Sequence, residues 1–285
     1  METSGSPIRT VVFQSGEHIP VLGIGTWNMG DHRQARAGEV AALQLAVDLG
    51  MTVVDTAEMY GNGAAESLVA EALGDRRERI FLVSKVLPQH ATRRGTISAC
   101  EASLRRLQTD RLDLYLLHWR GSVPLEETLD AFTALQRDGK IRHWGVSNLD
   151  TDDMHELEAI GSPAGTPAVN QVLYNLMRRG IEFDLLPWCR ARGVPIMAYS
   201  PLEQSRLSQH RTVSAIASRL GRTPSQIALA WVLRQPDVMA IPKAGRVEHV
   251  RENRAAIDVS LTPEDIAELD AVFPPPVRKR PLEMI

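Results

Sequence analysis

The sequence predicts an α/β fold, a (β/α)8 TIM-type barrel, on three observations. Short apolar, β-branched runs alternate with helical stretches eight times along the 285 residues, a pattern that calls for parallel strands joined by right-handed crossovers. The strand candidates are almost continuously apolar, so both of their faces must be covered. Seven of them end in polar residues: Asp55, Lys85, His118, Ser147-Asn148, Gln171, Tyr199-Ser200 and Lys243. In a parallel barrel those ends share the face on which barrel enzymes keep their sites. A doubly wound open sheet is the alternative. GIGTWN resembles the start of a dinucleotide fingerprint, but its third glycine is missing and no helix opens directly after it.

In chain order, Thr10 to Gln14 and His18 to Pro20 flank Ser15-Gly16-Glu17, a hairpin pattern. Val21 to Ile24 is the first barrel strand, and Arg36 to Leu49 a helix stopped by Gly50. Thr52 to Asp55 and the helix Ala65 to Leu73 follow, then Arg79 to Lys85 with Thr96 to Leu107. The next strands are Leu112 to His118 and Ile141 to Asn148, separated by the helix Leu125 to Arg137. Asp150 is a fitting N-cap for Thr151 to Ile160. Ala168 to Gln171, Val194 to Ser200 and Val238 to Lys243 complete the strands. Their helices are Glu182 to Arg192, Val213 to Leu220, Pro224 to Leu233 and Val247 to Ala256. Thr223-Pro224 reads as a cap with proline at the first helical position. Thr262-Pro263 opens an extra helix, and residues 274–285 read as an irregular tail. The expectation is a single domain over 1–285 with its core at about 10–273.

Net charge is −3, with 24% charged and 44% hydrophobic residues. There is no basic surplus to draw nucleic acid and no apolar run of the roughly 18 residues a membrane helix needs. Cys100 and Cys189 are isolated thiols without metal or redox spacing, as expected in a reducing compartment. The expectation is a cytoplasmic monomer acting on a small molecule.

Neighbouring strands bring Asp55, Lys85 and His118 together, with Tyr60 on the loop after Asp55. A phenol with a pKa near 10 is a weak proton donor at neutral pH. The cation of Lys85 is expected to lower that pKa, and Asp55 to keep Lys85 charged and oriented. His118 is left to hydrogen-bond a substrate oxygen. The set suits protonation of a carbonyl oxygen while its carbon is attacked. A Schiff-base aldolase acting through Lys85 is an alternative use. Zinc is disfavoured, because no HExxH or strand-end HxH pair exists and a lysine would repel the metal. No side chain delivers hydride, so the attacking group must come from a cofactor. Asn148 and Gln171 offer donors and acceptors suited to a carboxamide, and Tyr199 a flat face for a ring. Lys243, Arg246, His249 and Arg251 gather at a helix start, which reads equally as a phosphate site or as a solvated basic turn.

From Val11 to Phe273 the motifs GTWNMG, VVDTAEMYGNG, FLVSKV, LDLYLLHW, GVSNL, VNQVLYN, AYSPL and IPKAGRVEHVREN resemble those of the aldo-keto reductases, especially bacterial members that reduce methylglyoxal. The resemblance implies a barrel using NADPH, with NADH less preferred. It places a catalytic tetrad on Asp55, Tyr60, Lys85 and His118, with Tyr60 the general acid. Gly25, Thr26 and Trp27 fall in the first cofactor motif. Ser147, Asn148 and Gln171 would hold the nicotinamide amide, under which Tyr199 stacks. Ser200, Pro201 and Leu202 would line the pyrophosphate, and Lys243, Ala244, Arg246, His249, Glu252 and Asn253 the adenosine end. Trp27 and Trp119 look like walls of the substrate pocket, beside Tyr60 and His118. The last loop departs from the family's usual KSxTxxR by carrying Ala244, Arg246 and His249. Short segments at Trp119 to Val123 and Pro201 to Gln209 imply a lightly covered mouth, where Arg93, Arg94 and Arg120 either attract anions or are solvated surface. The competing class is a nucleotide-binding barrel without turnover.

Overall fold

A computed structural model describes residues 6–163 and 165–285. Thr10–Val12 (β1) and His18–Pro20 (β2) form the expected antiparallel hairpin. Eight parallel strands follow: Ile24–Gly25 (β3), Val53–Asp55 (β4), Phe81–Val86 (β5), Leu112–Leu117 (β6), Ile141–Ser147 (β7), Asn170–Leu173 (β8), Ile196–Tyr199 (β9) and Val238–Ala240 (β10). Each pairs with its successor. Parallel bridges from Leu22 to Ala240 and from Gly25 to Lys243 join the last strand to the first and curl the sheet shut. The alternative of an open doubly wound sheet is thereby excluded.

The helices are Arg36–Asp48 (α1), Ala64–Leu73 (α2), Arg93–Leu107 (α3), Leu125–Arg137 (α4), Thr151–Ile160 (α5), Leu185–Ala191 (α6), Arg211–Leu220 (α7), Pro224–Leu233 (α8), Val247–Ala255 (α9) and Pro263–Val272 (α10). Reciprocal capping boxes start α5, α8 and α10 at Asp150, Thr223 and Thr262. Two helix starts differ from the periodicity. α3 begins at Arg93 rather than Thr96, because the Thr92 hydroxyl accepts the Gly95 N–H at 3.1 Å and caps it there. α6 begins at Leu185 rather than Glu182. Pro187 lacks an N–H, so it is tolerated only in a first turn, and Gly180–Glu182 forms a separate 3-10 turn. β8 runs on to Leu173, past the expected Gln171.

The barrel wall and helix layer bury one continuous core. Phe132 of α4 stacks on Trp144 of β7 with centroids 5.7 Å apart and meets Tyr115 of β6 edge-on at 5.8 Å. The hairpin covers the end of the barrel where strands begin: Phe13 packs edge-on against Phe81 and His143. The opposite end, where strands finish, is left for the site.

The tail after Phe273 has no helix or strand, as expected, but it is fastened down. Lys279 pairs with Asp152 at 2.7 Å, Leu282 packs on the core, and Glu283 pairs with Arg178 at 2.7 Å. Its last residues, Met284 and Ile285, reach the cleft.

Candidate active site

β4, β5 and β6 are adjacent, so the ends that carry Asp55, Lys85 and His118 converge. Tyr60 opens a 3-10 turn, Tyr60–Gly63, that leads into α2. Gly61, Asn62 and Gly63 all have positive φ, which folds the loop back so that the phenol returns over the strand ends. Gly63 is required at φ +91°, and a Cβ there would collide with the Arg106 side chain.

The Lys85 ammonium spends all three protons inside the cluster: on Asp55 Oδ2 at 2.8 Å, the Thr56 carbonyl at 2.9 Å and the Tyr60 hydroxyl at 2.9 Å. The second oxygen of Asp55 accepts from Gln171 Nε2 at 2.8 Å. Burial pulls the Lys85 pKa down, but Asp55 and Tyr60 more than reverse this, and the ammonium is held above the ordinary lysine value. The Tyr60 phenol departs from the sequence expectation. Burial pushes its pKa up, the pull of Lys85 only partly opposes that, Asp55 adds to it, and the net shift is upward. Desolvation outweighs the cation at this depth. The proton therefore stays on Tyr60 at neutral pH, the form that a proton donor needs.

His118 lies edge-on to Tyr60, with centroids 5.9 Å apart, and tilts against Trp119 at 4.8 Å. Burial, with the Lys85 charge adding, lowers its pKa to about 2. It is a neutral imidazole at working pH, able to hydrogen-bond a substrate oxygen but not to act as an acid. Its Nδ1 is buried without a partner among the described residues.

The facing wall is built from β7, β8 and β9. Asn148, at φ +56°, donates to the His118 carbonyl and to Ser147 Oγ, each at 3.1 Å, and accepts from the Tyr199 hydroxyl at 3.0 Å. Ser147 donates to the Gln171 carbonyl at 2.9 Å, and Gln171 Nε2 also approaches Met197 Sδ at 2.9 Å. Burial raises the Tyr199 pKa to about 12, against a backbone hydrogen bond from Ile285.

The cleft is lined by Gly25, Trp27, Asp55, Tyr60, His118, Trp119, Ser147, Asn148, Gln171, Tyr199, Ser200 and Lys243. Other expected residues sit elsewhere. Thr26 is buried and spends its hydroxyl on the Asp55 carbonyl at 2.9 Å. Pro201 and Leu202, unlike Ser200, do not line the cleft. At the adenosine end, Ala244 is buried and Glu252 accepts from Thr223 at 2.5 Å. Arg246 meets His249 Nε2 at 2.5 Å at the start of α9. Asn253 is buried with its Nδ2 unpaired among the described residues. Arg120 is engaged by Asp153 at 3.2 Å and Glu156 at 2.7 Å, so its charge is not offered to a substrate, and Arg93 and Arg94 lie off the cleft.

Four lining residues were not anticipated from sequence: Met59, Ile241, Met284 and Ile285. For the last two the available signal was an apolar pair after the charged run VRKRPLE. The mouth is accordingly less open than the short loops implied, because the tail supplies a wall. Among the described residues no three His, Cys, Asp or Glu side chains are grouped to hold a metal, and no helix is long and apolar enough to cross a membrane.

A closed parallel barrel that presents acid, lysine, phenol and imidazole at its strand ends defines a class: barrel enzymes built around a lysine-paired tyrosine. The Aldo/keto reductase family profile matches residues 21–273, and the chain belongs to that family. Among characterised relatives, it is 49% identical to methylglyoxal reductase YeaE of Escherichia coli K12, over 97% of this chain and 99% of that one. It is 33% identical to the glyoxal reductase of Bacillus subtilis, over 92% of each. An aldo/keto reductase from Klebsiella pneumoniae, solved in complex with NADP and acetate, superposes with a TM-score of 0.94 at 52% identity, covering 97% of this chain and 99% of that chain.

Proposed function

We propose that this enzyme reduces small aldehydes and ketones to alcohols with NADPH, 2-oxoaldehydes such as methylglyoxal first, using Tyr60 as the general acid. The observation that carries the reading is the Tyr60 hydroxyl 2.9 Å from the fully buried Lys85 ammonium, in a cleft lined by both Tyr60 and His118. A carbonyl oxygen accepting from Tyr60 and His118 is polarised, and Tyr60 passes its proton to that oxygen as negative charge develops. Lys85, oriented by Asp55, then stabilises the phenolate.

NADPH, when bound, supplies the hydride that the chain itself cannot. The residues present fit it. Tyr199 offers a ring face, Lys243 is exposed on the cleft, Arg246 opens α9 where a phosphate is favoured, and the unpaired Nδ2 of Asn253 is a donor in want of an acceptor. NADH would lose the contacts to Lys243 and Arg246. The preference for small substrates rests on the names of the relatives, and on a cleft whose substrate end is walled by Trp27, Trp119, Met284 and Ile285.

The aldolase alternative is disfavoured by Lys85 itself, since a Schiff base needs a neutral amine and this one is held charged with every proton committed. The test is NADPH consumption with methylglyoxal and a carbonyl panel, for the unmodified enzyme and Tyr60→Phe. General acid catalysis is typically worth about 10²–10⁴. A loss below about tenfold would contradict the role of Tyr60, and absence of turnover in the unmodified protein would favour a binding barrel.

A further inference from the structure

The loop that follows β9 is held in an unfavourable backbone conformation. Ser200, Glu203, Gln204 and Ser205 have φ of +46°, +46°, +52° and +70°, a region that non-glycine residues avoid unless their surroundings impose it. The imposing contacts converge on Glu203. Its buried carboxylate accepts from Asn175 at 2.8 Å and from Arg178 Nε at 3.0 Å, with Arg178 Nη2 at 2.9 Å. Asn175 also donates to the Ser200 carbonyl at 2.9 Å. The other arm of the same guanidinium, Nη1, reaches Glu283 of the tail at 2.7 Å. The next two residues, Met284 and Ile285, form the tail's wall of the cleft. One arginine therefore clamps both segments through side-chain carboxylates, beside the backbone hydrogen bond from Ile285 to Tyr199 at the foot of the loop.

We propose that Arg178 is a positioning residue that couples the nucleotide loop Ser200–Ser205 to the tail wall of the substrate cleft, so that nucleotide binding and closure of the substrate end stabilise each other. This rests on the cofactor reading above, in which the loop at Ser200 to Leu202 lines the pyrophosphate. Arg178 does not line the cleft, so it acts through its two carboxylate partners and not on the reacting atoms. Arginine suits the position, because a planar fork can serve two carboxylates at once in fixed directions, whereas a lysine ammonium on a flexible stem cannot. Coupling of this kind is reciprocal: what the tail gains from an ordered loop, the loop gains from a seated tail.

The experiment is a double-substitution cycle in Glu283→Gln and Arg178→Lys, read as the Kd of NADPH by direct fluorescence titration without carbonyl, together with the KM for methylglyoxal. Both substitutions are mild, and thermal melts check that each variant is folded. Glu283→Gln alters a tail residue that does not line the cleft. It is expected to weaken NADPH binding by about fivefold, the low end of typical coupling, and to raise the carbonyl KM as well. In the Arg178→Lys background, which already lacks the bridge, the same change should add less than twofold to either quantity. If Glu283→Gln raises only the carbonyl KM, or has the same effect in both backgrounds, the tail acts locally and the coupling is refuted. If the unmodified protein does not bind NADPH, the cofactor reading falls, a result distinct from normal binding that ignores Glu283.

Discussion

Asp55 and Lys85 meet at 2.8 Å with neither side chain open to solvent. Breaking a buried ion pair by removing one partner is commonly worth about 3–5 kcal/mol, because the remaining charge is stranded. Lys85→Met should destabilise the protein by that amount in urea unfolding. Asp55→Asn should cost less, since an asparagine oxygen can still accept from Lys85. The double variant Asp55→Asn/Lys85→Met should be more stable than the sum of the two losses predicts. Strict additivity would mean that the pair is not a unit.

This pair also marks how far the sequence could be read. Asp55, Lys85 and His118 were legible because apolar strands that stop at polar residues place those residues at one end of a parallel barrel, whatever the loops do. The local strand pattern thus located the cluster before any contact was known. The balance within it was not legible. That burial outweighs Lys85 at Tyr60 depends on how completely the loop and tail exclude water, which no local pattern encodes. The same holds for Glu203, Arg178, Met284 and Ile285. Their partners lie in distant segments, and neither the tail nor the loop has a period from which a facing side could be inferred. Pro187 is different. Its missing N–H was visible in the sequence and marks a first turn, yet apolar periodicity alone put the start of α6 at Glu182 rather than Leu185.

The low pKa of His118, about 2, gives two pH predictions. An unfolded histidine titrates near 6.5, so below that pH the unfolded chain binds a proton that the folded chain refuses. Stability then falls with decreasing pH from about 6.5 downward, approaching about 1.4 kcal/mol per unit from this group. His118→Gln should flatten that part of the stability curve. In the unmodified enzyme the rate of carbonyl reduction should carry no protonation limb between about pH 6 and 8, and should decline only in the range where the raised Tyr60 phenol ionises. A limb near pH 6.5 that His118→Gln abolishes would show that the imidazole is charged during turnover.

In the proposed cofactor reading, Arg246 and His249, 2.5 Å apart at the start of α9, bear on nucleotide choice. A 2′-phosphate gives the Arg246 fork two oxygens to grip, which NADH does not provide. Arg246→Ala should raise the KM for NADPH by about tenfold or more, a charge-assisted hydrogen bond being worth roughly 1.5–3 kcal/mol. The KM for NADH should move by less than about twofold. Equal changes for both nucleotides would place Arg246 away from the phosphate.

Gly63 ends the turn that Tyr60 opens. Its φ of +91° is strained for any residue with a Cβ, and the space a Cβ would need is held by Arg106, which pairs with buried Glu66 at 2.5 Å. Glu66 in turn accepts from Ser84, next to Lys85, at 2.7 Å. The turn carrying Tyr60 is thereby braced against the strand carrying Lys85. Gly63→Ala should add backbone strain of about 1–3 kcal/mol and push Arg106 off Glu66, with a lower melting temperature. Because a shift of about 1 Å in a reacting group can cost a hundredfold, kcat should fall by at least tenfold while the Kd of NADPH changes little. A variant with reduced stability and unchanged kcat would show that the turn supports the fold without positioning Tyr60.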